Sequence, residues 1–314
     1  MPSDEAKLEE LKRRLSEISD LGSAGAVLGW DQATYMPAGG APARARQGAT
    51  LSRLGHEKAV DPALGKLIDS LAPHAGSLPY ESDTASLIRV AKRDFERAIK
   101  VPADYVERAS AAGSASYDAW TRARPANDFA TMAPFLERTI ALSLEYADFF
   151  APYDHIADPL IDSADLGMTT ESVRALFAEL RRELVPIVHA IADQPAIDDR
   201  ALHGSFDEPA QLAFGRSVVD RIGYDFERGR LDKTHHPFST RFSTGDVRIT
   251  TRVDPNDIGQ ALFSTIHEAG HALYEQGVAP GLDGTPLGSG ASAGVHESQS
   301  RLWENVVGRG RGFW

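Results

Sequence analysis

The sequence predicts a mainly α fold with one small β-hairpin. Three observations carry this. Apolar residues recur along most of the chain at the three- and four-residue spacing of a helix face. Those stretches are separated by proline, glycine and capping residues. Strand-like alternation appears only once, between Pro237 and Val253. With 314 residues, 42% of them hydrophobic, the chain can bury a sizeable core. We read it as one continuous domain, with a helical region over 1–230 and a chemically distinct region over 231–314.

Taken in order, residues 4–20 place Leu8, Leu11, Leu15 and Ile18 at helical spacing with charges between them. A second helical stretch, Ala43 to Leu71, follows the Pro37-Ala38-Gly39-Gly40 break and is expected to be interrupted at Asp61-Pro62. Further helices are expected over 83–99, 102–123 and 128–150. Residues 170–192 carry Val173, Leu176, Phe177, Leu180, Leu184 and Ile187 on one face, with Pro186 expected to kink or end the helix. His189 sits among apolar neighbours there and reads as a core histidine. Ser205-Phe206-Asp207-Glu208 resembles a capping box before a helix running to Gly223. Ser239 to Thr250 alternate around a Thr-Gly-Asp turn, which reads as a hairpin. Asp254-Pro255 then supplies a cap and a proline for the first helical position, and Gly277 a stop.

Composition excludes several functions. The absence of cysteine rules out disulfides, thiol nucleophiles and thiolate metal sites. The longest apolar runs are too short for a membrane span. Met1 to Glu10 is acidic and lacks an apolar signal core, so cytoplasmic residence is the default expectation. A net charge of −12 without a compensating basic stripe disfavours nucleic acid as a partner.

The chemistry concentrates in His267-Glu268-Ala269-Gly270-His271. Histidines four residues apart project from one helical face, the arrangement one metal ion needs to accept a nitrogen from each. Glu268 points to the side of that face, where it can act on a water without being a ligand. Two surface histidines on a solvated helix are the plain alternative. Ile258, Leu262, Phe263, Ile266, Ala269, Leu273 and Tyr274 argue against it, because they make the helix largely buried. A catalytic zinc site takes three protein ligands, and without cysteine the third must be histidine, aspartate or glutamate. Glu297 lies 26 residues after His271, beyond a Gly/Ser-rich loop and at the start of a second helix through Leu302, Trp303, Val306 and Val307. His296 and Glu304 compete for the same role. Glu304, two turns on, could instead be a carboxylate bonded to a ligand histidine. The spacing leaves Glu297 open, since a glutamate at a helix N-terminus is also favoured by the dipole.

These residues resemble the metallocarboxypeptidases of the carboxypeptidase Taq family. His236-Pro237-Phe238 is similar to that family's HPF element and Asp246-Val247-Arg248-Ile249-Thr250 to its DxRxT element. His267 to His271 matches HExxH, and His296-Glu297-Ser298-Gln299 matches HESQ. Trp30 to Pro37 is similar to its WD-x-x-T-x-MP stretch. The resemblance implies a multi-helix peptidase fold with a small sheet beside the HExxH helix, and Glu297 as third ligand. It also implies a zinc ion, with cobalt or manganese as alternatives, a peptide substrate and a homodimer. Two further family elements, IRxxAD and GxxQDxHW, do not occur in this sequence. The expectation is therefore an N-terminal portion of a longer protein or a truncated gene. The remainder would supply one wall of the groove and an arginine for the peptide's terminal carboxylate.

The expected reaction is removal of C-terminal residues from peptides. His267, His271 and Glu297 would hold the metal, and Glu268 would take a proton from water and pass it to the leaving amine. His236 and Arg248 are candidate substrate-binding residues. His236 could equally be a turn residue before Pro237, and Arg248 reads more readily as a structural ion pair with Asp246. A zinc oligopeptidase cutting internally and a catalytically silent metal-binding scaffold are the rival readings.

Overall fold

Side-chain caps set most helix starts in the computed structural model, which describes residues 2–314. Helix α1 (Asp4–Thr34) starts where Ser3 Oγ accepts from the Ala6 amide at 3.2 Å. It is followed by α2 (Ala41–Ala59) and α3 (Pro62–Gly76). The break between those two falls at Asp61-Pro62, as expected. Asp61 caps the Ala63 amide at 2.8 Å, and Pro62 needs no donor in the first turn. Helices α4 (Asp83–Ala98), α5 (Ala103–Ala123), α6 (Phe129–Asp148), α7 (Asp158–Ala164), α8 (Thr170–Ala192) and α9 (Glu208–Arg221) complete the helical region.

Among the described residues, two apolar clusters stand out in the core. Leu11, Leu64, Ile68, Leu71, Ile88 and Ala91 join α1, α3 and α4. The second cluster joins α9, the sheet and α10 (Ile258–Gln276) through Val218, Val219, Tyr224, Val247, Ile249, Leu262 and Ile266. This second cluster is the floor on which the histidine pair of α10 stands.

The sheet has three strands in the order β1 (Leu231–Lys233), β3 (Asp246–Thr251), β2 (Ser239–Ser243). The expected hairpin is the antiparallel β2–β3 pair, with a bulge between Arg241 and Ser243. The parallel strand β1, paired Leu231 to Ile249, was not legible because three residues carry too little alternation. Val247, Ile249 and Thr251 face the core, while Asp246 and Arg248 face away. Tyr224 donates to the Val247 carbonyl at 2.7 Å, tying the end of α9 to β3. Gly229 has to be glycine there, because a Cβ would lie 2.2 Å from that same carbonyl.

Several local expectations are corrected. Helix α1 runs to Thr34 rather than residue 20. Gly22, Gly25 and Gly29 weaken its propensity, but buried Trp30 and the bond from Ser23 Oγ to the Phe242 carbonyl hold the extension in place. Pro186 does not end the helix; α8 continues through it. The apolar face of α8 is exposed, and so is His189, which is not a core histidine. Asp207, not Ser205, caps α9 through the Ala210 amide. Helix α10 begins at Ile258 under an Asp257 cap, three residues after Pro255. The Pro255 and Asn256 carbonyls are used instead to accept the Phe206 and Gly204 amides. Among the described residues no helix is long and apolar enough to cross a membrane.

Candidate metal centre

The local sequence of α10 puts His267 and His271 one turn apart, their rings 5.0 Å between centroids. Ala269 and Ala272 are fully buried against the second core cluster, so the opposite face presents the histidines. Glu297 arrives on α11 (Ala293–Arg301), whose start is capped by Ser292. Gly270 permits that approach: a Cβ at this position would lie 2.6 Å from Ser300 Cα and 2.8 Å from the Gln299 carbonyl oxygen. The backbones of α10 and α11 are therefore in direct contact, which brings the Glu297 carboxylate over the pair. Its Oε2 lies 3.3 Å from His271 Nε2 and 3.8 Å from His267 Nε2. The three groups offer atoms that all lie within 4.8 Å of one another and could hold a metal ion.

Surrounding groups orient these side chains. Glu304 Oε2 lies 2.9 Å from His267 Nδ1 and is itself held by Arg309 at 2.9 Å. It comes from a single π-helical turn, Leu302–Val307, that continues α11. The His271 ring stacks on His296 at 4.6 Å, and His296 Nε2 lies 2.9 Å from buried Glu275. His296 is thus turned to Glu275, while Glu297 faces the histidine pair.

The electrostatics follow from burial. Glu268 is 6% exposed. Desolvation, with Glu297 and Glu304 nearby, pushes its carboxyl up to about 8. Burial, reinforced by His296 and His267, pushes His271 down to about 4 and keeps its imidazole neutral. Burial would raise Glu297 too, but Arg301 and the two histidines outweigh it, so the carboxyl lies below its ordinary value. A deprotonated carboxylate and a neutral imidazole are the forms that bind metal.

These groups line one wall of a cavity of about 1040 Å³. His236 also lines it, its ring meeting the edge of Trp120 at 6.4 Å. Arg248 does not. It pairs with Asp246 at 2.7 Å and lies over the Trp30 ring at 4.4 Å, so two of the sequence elements named above meet each other behind the site. Gly270, Glu275 and Arg309 were missed in the sequence. A glycine inside an otherwise apolar helix was the one available signal, since it marks close backbone approach.

A profile of the family described as carboxypeptidase Taq (M32) metallopeptidase matches residues 10–314. The chain belongs to this family. M32 relatives include thermostable carboxypeptidase 1 of Thermus thermophilus, 39% identical over 99% of this chain and 63% of its own length. Carboxypeptidase 1 of Bacillus subtilis is 36% identical over 99% and 61%. The crystal structure of an M32 carboxypeptidase from Deinococcus radiodurans R1 superposes with a TM-score of 0.86 at 50% identity, covering 98% of this chain and 62% of that one. That of BsuCP gives 0.94 at 34% identity, with the same coverage. The chain thus spans a little over three fifths of the length of its M32 relatives. The family is one of metallopeptidases, which implies a divalent metal, and its mainly helical architecture is the one described above.

Proposed function

We propose that this chain carries the metal centre of a zinc-dependent metallocarboxypeptidase, which removes C-terminal residues from peptides. The observation that carries the reading is the meeting of His267, His271 and Glu297 beside a buried, protonatable Glu268. Two atoms bound to one tetrahedral zinc at 2.0–2.1 Å sit roughly 3.3 Å apart. The separations of 3.3 and 3.8 Å between Glu297 and the histidines fit that spacing with small side-chain adjustments. Two nitrogens and one oxygen also suit zinc better than calcium or magnesium, although cobalt or manganese would be accepted by the same set.

When bound, the ion supplies Lewis acidity. The remaining chemistry belongs to the chain. Glu268, adjacent to the ligand His267 and buried beside the centre, is the residue that would accept a proton from the attacking water and return it to the departing amine. Glu304 fixes His267 so that Nε2 is its free donor. Strand β2 borders the cavity at Ser239 and offers an edge along which an extended peptide can lie.

Incubating the zinc-loaded chain with an N-terminally blocked peptide tests this. Sequential release of single C-terminal residues supports the reading. Internal fragments would replace it with an oligopeptidase, and intact peptide despite bound zinc would leave a silent metal-binding scaffold.

A further inference from the structure

We propose that Arg252 binds a carboxylate of the peptide substrate. This rests on the reading of the cavity as a peptidase site. Three arginines line that cavity: Arg252, Arg301 and Arg309. Arg301 is engaged with Glu297 at 2.8 Å and approaches Glu304. Arg309 is engaged with Glu304 and stacks on Phe263. Arg252 alone of the three makes no ion pair, hydrogen bond or ring contact among the described residues; it is exposed, and it borders both this cavity and a smaller one lined by Trp120 and His235.

Its backbone is nevertheless well fixed. Arg252 directly follows Thr251, which is fully buried and donates from Oγ1 to the Ala261 carbonyl at 3.1 Å. That bond ties the end of β3 to the first turns of α10. Gln260, the neighbour of Ala261, also lines the cavity, and its Oε1 is buried without a hydrogen-bond partner. A guanidinium with unspent donors, carried on a fixed backbone, therefore borders the same cavity as Gln260. A guanidinium fork matches a carboxylate through two parallel hydrogen bonds. The carboxylate could be the peptide's C-terminus or an acidic side chain.

Calorimetric titration of the zinc-loaded chain, Arg252→Ala and Arg252→Lys distinguishes these sources. Three N-acylated dipeptides serve as probes: a neutral one with a free C-terminus, its C-terminal amide, and an amide carrying a glutamate. The alanine variant is expected to bind the carboxylate-bearing peptide about ten- to a hundredfold more weakly, with the plain amide unaffected and partial recovery in the lysine variant. Loss confined to the free-terminus peptide assigns the C-terminal carboxylate; loss confined to the glutamyl amide assigns the side chain. Equal affinities in chain and variant, or no carboxylate-dependent binding by the chain itself, overturn the proposal. Zinc content and thermal unfolding are measured on each sample, with Arg252→Gln as a second variant if alanine prevents folding. A chain that takes up no zinc defeats the metallopeptidase reading, while the same titrations on that metal-free chain still decide the role of Arg252.

Discussion

Glu304 Oε2 lies 2.9 Å from Nδ1 of His267, a contact made across 37 residues of sequence. It leaves Nε2 as the only free nitrogen of that ring, and Nε2 is the atom that faces Glu297. Under the proposed function, the tautomer that His267 would need as a ligand is favoured by a carboxylate that is not itself within the candidate ligand group.

Replacing that carboxylate should weaken the centre without dismantling it. Glu304→Ala is expected to lower zinc affinity about ten- to a hundredfold, measured by competition with a chromophoric chelator. Affinity equal to that of the parent chain would show that His267 is oriented by something else.

Gly270 gives a steric prediction. A methyl group there would meet Ser300 Cα at 2.6 Å, and backbone cannot swing aside as a flexible side chain can. Gly270→Ala should push α11 away from α10. Stability should fall by about 1–3 kcal/mol, and zinc affinity should fall with it because Glu297 moves. Denaturant unfolding together with metal titration checks both; a variant that unfolds like the parent and binds zinc equally would contradict the close packing.

The sequence made much of this centre legible, for physical reasons that can be named. His267 and His271 are four apart on a periodic apolar helix, so their shared face follows from helix geometry alone. Glu304 could be suggested as a bonded carboxylate because it too lay at helical spacing from Glu297. The choice between Glu297 and His296 could not be made from spacing. Adjacent residues on a helix point about 100° apart, and the buried Glu275 that engages His296 is contributed by another helix. The sheet was partly legible: β2 and β3 alternate, but β1 is specified by its neighbour and not by its own three residues. The start of α10 was misplaced because Asp254-Pro255 and Asp257 both offer capping chemistry, and only the contacts from Gly204 and Phe206 select the second. His189 was read as buried because an apolar helix face was taken to imply a covering neighbour, which α8 lacks among the described residues.

Metal-free protein should show a stability slope that belongs to Glu268. Its carboxyl is raised to about 8 from an ordinary 4.5. The folded state thus favours the protonated form, and that contribution is full below 4.5 and lost as pH rises through about 8. His271, lowered to about 4, works in the other window: its contribution holds above its ordinary 6.5 and is lost as pH falls toward 4. Between pH 6.5 and 8 the Glu268 effect stands alone of the two. The melting temperature of the stripped chain should fall across that range more steeply than that of Glu268→Gln. Parallel profiles would remove Glu268 as the cause.

Tyr224 offers a control away from the metal. Its hydroxyl is buried and donates to the Val247 carbonyl at 2.7 Å. Tyr224→Phe should cost about 1–3 kcal/mol by leaving that carbonyl without this donor, read by denaturant unfolding, with zinc affinity unchanged. A loss of zinc affinity comparable to that of Glu304→Ala would mean that the core beneath β3 and the metal centre are coupled.

The central claim is tested most directly by growing crystals of the chain with zinc and locating the ion by its anomalous scattering. One peak bonded to His267 Nε2, His271 Nε2 and the Glu297 carboxylate, with Glu304 still on His267 Nδ1, is the expected result. An ion bound elsewhere, or one held by the histidines with Glu297 turned away, would contradict it.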